Sequence, residues 1–186
     1  MRARRLLIAL ACATFSLTLA ACGDTTNNRF GDNEGIYVDV GHLKYQVELS
    51  RQLNPYDVED RNYVAGVSPK LSYLAPADQW FGVFMLVENK TGKPQQAASD
   101  YYITDTEDDV YRPVPIAATN PFAYTPILIG AHANLPLPGS VAYDGPTGGE
   151  VLLFKIPYAT DDNRPWDLHI VNPTDPTDRA IIELDV

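Results

Sequence analysis

The stretch His42-Leu43-Lys44-Tyr45-Gln46-Val47-Glu48-Leu49-Ser50 alternates without a break. Leu43, Tyr45, Val47 and Leu49 share one face, and Lys44, Gln46, Glu48 and Ser50 share the other. Period two over this length predicts a half-buried strand. The stretch Gln79 to Asn89, QWFGVFMLVEN, is apolar on both faces. Its aromatic and β-branched content predicts a central strand, ended by Asn89-Lys90-Thr91-Gly92. Working outward, Tyr101 to Thr104 reads as a strand, Asp105 to Asp109 as a turn, and Val110-Tyr111 as a short strand pairing back across it. Glu150 to Ile156, Trp166 to Val171 and Ala180 to Val186 complete the set, the first two stopped by Pro157 and Asn172-Pro173. No amphipathic helix of ten or more residues emerges; helical turns are expected first at Asp57–Tyr63 and around Ser99. Fifteen prolines and twelve glycines fall mostly between the strand candidates. Together these features predict an all-β fold, an antiparallel β-sandwich of about seven to nine strands.

The N-terminus reads differently. Arg2, Arg4 and Arg5 precede an apolar run from Leu6 to Leu19, followed by small residues. That is the layout of a secretory signal peptide. The run is about 14 residues, short of the ~20 that cross a bilayer. Leu19-Ala20-Ala21-Cys22 resembles the bacterial lipobox. The resemblance implies that Cys22 becomes the first mature residue and carries a diacylglyceryl group and a further acyl chain such as palmitate. More than one chain gives stable anchoring without a transmembrane segment. Ordinary secretion, with Cys22 a bystander, is the competing reading. Residues 22–35 are polar and rich in Asn, Gly and Asp, as a flexible tether would be. About a dozen such residues would reach roughly 40 Å when extended. The expected organisation is a signal peptide at 1–21, a tether at 22–40 and the sandwich at 41–186.

Charge and cysteine content exclude several functions. The whole chain carries 14 basic and 24 acidic residues. Removing residues 1–21 takes three arginines and no acid, so the mature balance is 11 against 24, or −13. Nucleic-acid binding and a polybasic lipid-binding face both need positive charge. Cys12 would leave with the signal, and Cys22 would be alkylated. No thiol remains for a Cys nucleophile, a zinc–cysteine site or redox chemistry.

The order of motifs carries a second resemblance. Val87-Glu88-Asn89-Lys90-Thr91-Gly92-Lys93-Pro94 is followed by Tyr101-Tyr102-Ile103-Thr104-Asp105 and Val110-Tyr111. Leu137-Pro138-Gly139-Ser140 and Gly149 to Pro157 come downstream. This order, over about residues 79–171, is similar to the immunoglobulin-like domain of uncharacterised extracellular bacterial lipoproteins, especially actinobacterial ones. The resemblance implies an immunoglobulin-like sandwich and surface display, and it brings no catalytic residues. Residues 112–149 form an unusually long connection. They carry Phe122, Tyr124, Ile127, Leu128, Ile129, Leu135 and Leu137 among prolines. One reading has them close a side of the sandwich, with an internal strand near Thr125–Ile129. The other makes Phe122, Tyr124, Ile127, Leu128, Leu135 and Leu137 a partner-binding loop.

Catalytic and metal signatures are missing from the pattern. There is no Gly-x-Ser-x-Gly elbow, and Ser140 reads as a turn residue. His42, His132 and His169 lack the close partner common in zinc motifs; His169 reads as an exposed sheet residue sharing a face with Asp167. Met85 is the only methionine of the mature chain, which argues against a copper carrier. The acidic groups at 105–109, 161–163 and 175–178 read as turn chemistry sooner than calcium loops. Asn89-Lys90-Thr91 matches a glycosylation sequon by chance. No cofactor, metal or catalytic residue is expected. The expected function is a non-enzymatic, lipid-anchored module on the extracytoplasmic face of the cell membrane. It would bind or scaffold a protein partner in the cell envelope. Alternatives are a small-ligand accessory protein of a transporter, using aromatics such as Trp80, Trp166 and Tyr124, and an enzyme with a site built from carboxylates.

Overall fold

The structure, a computed structural model, describes residues 27–186. The signal segment 1–21, the lipobox residues Leu19, Ala20 and Ala21, Cys22 and the start of the tether lie outside the described residues. In chain order the strands are β1 Phe30–Gly31, β2 Val38–Val40, β3 Leu43–Leu53, β4 Asp78–Glu88, β5 Gln95–Gln96, β6 Asp100–Thr104, β7 Val110–Tyr111, β8 Leu128–Ile129, β9 Asn134–Leu135, β10 Glu150–Pro157, β11 Trp166–Val171 and β12 Arg179–Leu184. Two short helices, α1 Asp60–Val64 and α2 Val141–Asp144, and a 3-10 turn at Tyr158–Asp162 complete the described residues. Seven of these strands exceed two residues, within the expected range.

One sheet runs β10-β4-β3-β2, with β9 continuing the β10 side of β4. The other runs β1-β12-β11-β6-β7. All pairings are antiparallel except β1 with β12. The result is the antiparallel β-sandwich expected from the sequence. β5 and β8 form a separate small ribbon.

β4 shows why its sequence is apolar throughout. Phe81, Val83, Met85 and Val87 point into the main core between the sheets. Trp80 and Phe84 point the other way, into a second core with Leu53, Tyr63, Val151 and Leu153. A strand covered on both faces has no solvent side to keep polar. Gly82 lies between Trp80 and Phe84 on that second face. A Cβ there would sit 3.0 Å from Leu53 Cδ1, so the glycine lets Leu53 close over the sheet.

β3 departs from its strict alternation. The register with β4 shifts between Val47 and Leu49. The extra residue of a bulge reverses which side faces in. Leu49 is therefore turned to solvent, 36 % exposed, while Ser50 is buried.

Residues 28–40 of the tether expected over 22–40 belong to the fold. Asn28 donates its backbone N–H to Asp39 Oδ2 and accepts from Asp39 N. Arg29 pairs with Asp178 and with the Asp39 carbonyl. Val38 and Val40 are core residues, and Glu34 accepts from the backbone of Ser50 and Asp185. The fold thus includes the chain from Asn28 onward, ahead of the boundary expected at residue 41. Its polar residues are spent on backbone hydrogen bonds, which a composition argument counts as solvent exposure. The helical turn expected near Asp57–Tyr63 is α1. Around Ser99 the chain is extended, and α2, capped by the Ser140 hydroxyl accepting from Tyr143 N, takes its place in the long connection.

Candidate functional site

The long connection 112–149 splits its apolar residues between two jobs. Its main chain covers the free edge of β10. Val114 N donates to Leu153 O, Tyr124 N to Val151 O, and Val151 N to Phe122 O. This pairing explains the path, since a bare edge strand invites foreign pairing. Phe122 packs edge-on to Tyr63, with ring centroids 5.0 Å apart. Tyr124 accepts from the Tyr101 hydroxyl at 2.6 Å and donates to the Ala98 carbonyl. Leu135 and Ile129 belong to the main core. Ile127, Leu128 and Leu137 remain exposed. The six residues expected as one partner-binding loop are therefore not one patch: Phe122, Tyr124 and Leu135 close the sandwich, and only Ile127, Leu128 and Leu137 face solvent. The internal strand expected near Thr125–Ile129 is β8.

This covering leaves a gap. A cavity of about 380 Å³ opens between the β6 and β10 edges, lined by Asp100, Tyr101, Arg112, Val114, Tyr124 and Leu153 among others. Arg112 and Asp100 pair at its mouth at 2.8 Å. The Arg112 guanidinium also lies over the Tyr102 ring. Tyr102 stacks flat on His169, centroids 4.4 Å apart. His169 Nε2 is 2.9 Å from Thr104 Oγ1. Burial, then the charge of Arg179, pushes the His169 pKa down. It shares its sheet face with Asp167, as expected, but it is half-buried where an exposed residue was expected. Glu150, beside the cavity-lining strand, has its pKa raised to about 7 by burial, partly offset by the Thr125 N–H it accepts from. The cavity would hold the apolar body of a small molecule, with Arg112 and Asp100 able to meet charged groups at the rim.

The acidic groups are engaged locally. Asp105 Oδ1 accepts from Glu107 N and Asp109 N, and its Oδ2 from the Tyr111 hydroxyl. Asp161 accepts from Gln79, and Asp175 from Thr177. Among the described residues no three His, Cys, Asp or Glu side chains converge as metal ligands do. Trp80 and Trp166 sit in different cores, so they do not meet Tyr124 in one aromatic cleft. The Asn89 amide nitrogen is buried and within 3.0 Å of the Lys93, Ile129 and Gly130 carbonyls, so the sequon is committed to structure.

The two ends of the sandwich differ. One end, the near end, gathers Asn28, the turn at Gly41-His42, and segments 89–96, 130–132 and 172–178. Gly41 N donates to Asp178, and His132 N to the Thr91 carbonyl. The far end gathers 54–77, 105–109 and 157–165, joined by Thr106 N to Asn163 O and by Gln79 to Asp161. Tyr56 and Tyr73, at the far end, are 94 % and 72 % exposed, Val58 and Leu71 are exposed near them in sequence, and Tyr158, whose N–H donates to the Ala77 carbonyl, is exposed as well. Sequence reasoning missed this group, because isolated tyrosines in a proline-rich segment carry no periodic signal. No helix among the described residues is long and apolar enough to cross a membrane.

No protein-family model matches the chain, and no curated protein matches it. Among solved structures, the yjhA protein from Bacillus subtilis is similar at 10 % identity and a TM-score of 0.47, covering 83 % of this chain and 99 % of that one. An uncharacterized beta-sandwich protein from Clostridium difficile 630 is similar at 10 % identity and a TM-score of 0.45, covering 82 % of this chain and 93 % of that one.

Proposed function

We propose that this protein is a lipid-anchored, extracytoplasmic lipoprotein whose sandwich domain binds or scaffolds a protein partner of the cell envelope without catalysing a reaction. The observation that carries the reading is Leu19-Ala20-Ala21-Cys22, placed after three arginines and an apolar run too short to span a bilayer. The acidic mature chain suits a soluble domain held at a surface. Exposed tyrosines at the far end suit a contact surface, since Tyr combines apolar area with a hydrogen-bonding tip. Cross-linking on intact cells, followed by capture of the full-length protein, tests this. A reproducible partner, lost in the Tyr56→Ser/Tyr73→Ser double variant, is expected; no partner above background contradicts the reading.

A second reading, a small-ligand accessory protein of a transporter, is favoured by the cavity beside Tyr124. Its volume is within the range of small-molecule sites, at the lower end. Filling it with Val114→Trp would abolish ligand-induced thermal stabilisation without unfolding the domain. If a ligand that stabilises the wild type stabilises the filled variant equally, this reading fails.

A further inference from the structure

The inclusion of Asn28 in the fold changes the geometry of anchoring. This inference rests on lipidation of Cys22. Five residues lie between Cys22 and Asn28, and the six residue steps span at most about 20 Å when fully extended. Asn28 is fixed to the near end by its hydrogen bonds to Asp39 and Tyr37. β3 and β4 each run 11 residues between the ends, so the far end lies roughly 35 Å beyond the near end. The leash is therefore shorter than the domain it holds.

Charge divides along the same axis. The far-end segments 54–77, 105–109, 157–165 and 185–186 carry ten carboxylates against three basic side chains. The near-end segments 27–29, 41–42, 89–96, 130–132 and 172–178 carry two carboxylates against three basic side chains. An anionic headgroup layer repels the first set and tolerates the second. Exposure follows suit. At the near end the exposed residues are small or polar, among them His42, Lys93 and Pro173 to Thr177. None of the large apolar side chains that are exposed belongs to those near-end segments. Phe30, next to Arg29, and Leu128, paired with Gln96, are exposed at the margin of this end, so the surface fits a hydrated headgroup layer with two apolar side chains at its border.

We propose that the near end of the sandwich faces the lipid headgroups, and that the domain stands end-on with its far-end tyrosines pointing away from the membrane. The partner of the near end is thus a lipid surface, and the far end is the face left for other proteins.

Single-cysteine labelling tests this cleanly, because the mature chain has no thiol besides Cys22. Thr174→Cys at the near end, Glu48→Cys on a flank and Glu107→Cys at the far end would each carry a fluorophore in the full-length lipoprotein. Each would be reconstituted in anionic vesicles containing a headgroup-attached quencher. Loss of fluorescence at position 174, less at 48 and none at 107 is expected. Co-flotation with the vesicles but equal quenching at all three positions, or strongest quenching at 48 or 107, overturns the orientation alone. Failure to float with the vesicles overturns the anchor reading, and the orientation with it.

Discussion

Glu150 is a carboxyl group held where water reaches it poorly. Burial raises its pKa from 4.5 to about 7. A group raised in the folded state favours folding fully below its unfolded pKa, and that contribution is lost as pH rises through the folded value. Stability is expected to fall between about pH 4.5 and pH 7 for this reason. Glu150→Gln removes the ionisation. Above pH 7 it should stabilise the domain by on the order of 1 kcal/mol, reduced from the full shift because the group is partly solvated. Near pH 4.5 it should change little, and urea titrations at both pH values check the difference. Asn89 works in the opposite direction. Its side chain donates to carbonyls 40 residues away and accepts from Thr91 N and Oγ1. Asn89→Ala strands several buried groups and should cost about 2–4 kcal/mol, measured by the same titration. The sequence showed Asn89 as the residue ending a strand and as part of a chance sequon. Its long-range partners lie in a loop whose path no local pattern encodes.

At the scale of elements, legibility follows the number of residues that repeat a pattern. β4, β10 and β11 were legible because each has six or more residues with a consistent burial pattern. β1 and β2 have two and three residues; such lengths hold too few positions to establish a period, so their segment read as tether. The bulge in β3 was hidden because the letters alternate through it while the backbone does not. The long connection was half legible. Its apolar content was visible, but which residues face inward depends on the two β10 carbonyls that it pairs with, Val151 and Leu153. That division predicts unequal substitutions. Phe122→Ala removes a partly buried ring packed edge-on against Tyr63 and should cost about 2 kcal/mol, less than a fully buried Phe. Leu137→Ser, at an exposed position, should stay within about 0.5 kcal/mol. Thermal unfolding of the two variants separates them, and equal losses would contradict the assignment of Phe122 to the second core.

For the whole molecule, composition gave the total charge and nothing of its distribution. Loops distant in sequence meet at one end only once the strand order is known, so the acidic far end was invisible in the chain. The candidate surface was likewise hidden, since Tyr56, Tyr73 and Tyr158 come from two separate segments. The proposed anchor at Cys22 would link these facts to function. Inserting about a dozen Gly and Ser residues after position 26 adds roughly 20 Å of r.m.s. reach. Stability should be unchanged, while the difference in quenching between positions 174 and 107 should shrink. The orientation at this scale rests on the proposed lipidation of Cys22. Growing cells with an alkyne-bearing palmitate analogue and recovering the protein tests it directly. Label and membrane association in the wild type, both lost in Cys22→Ala, are expected; an unlabelled wild-type protein, or label that persists in Cys22→Ala, would contradict the anchor.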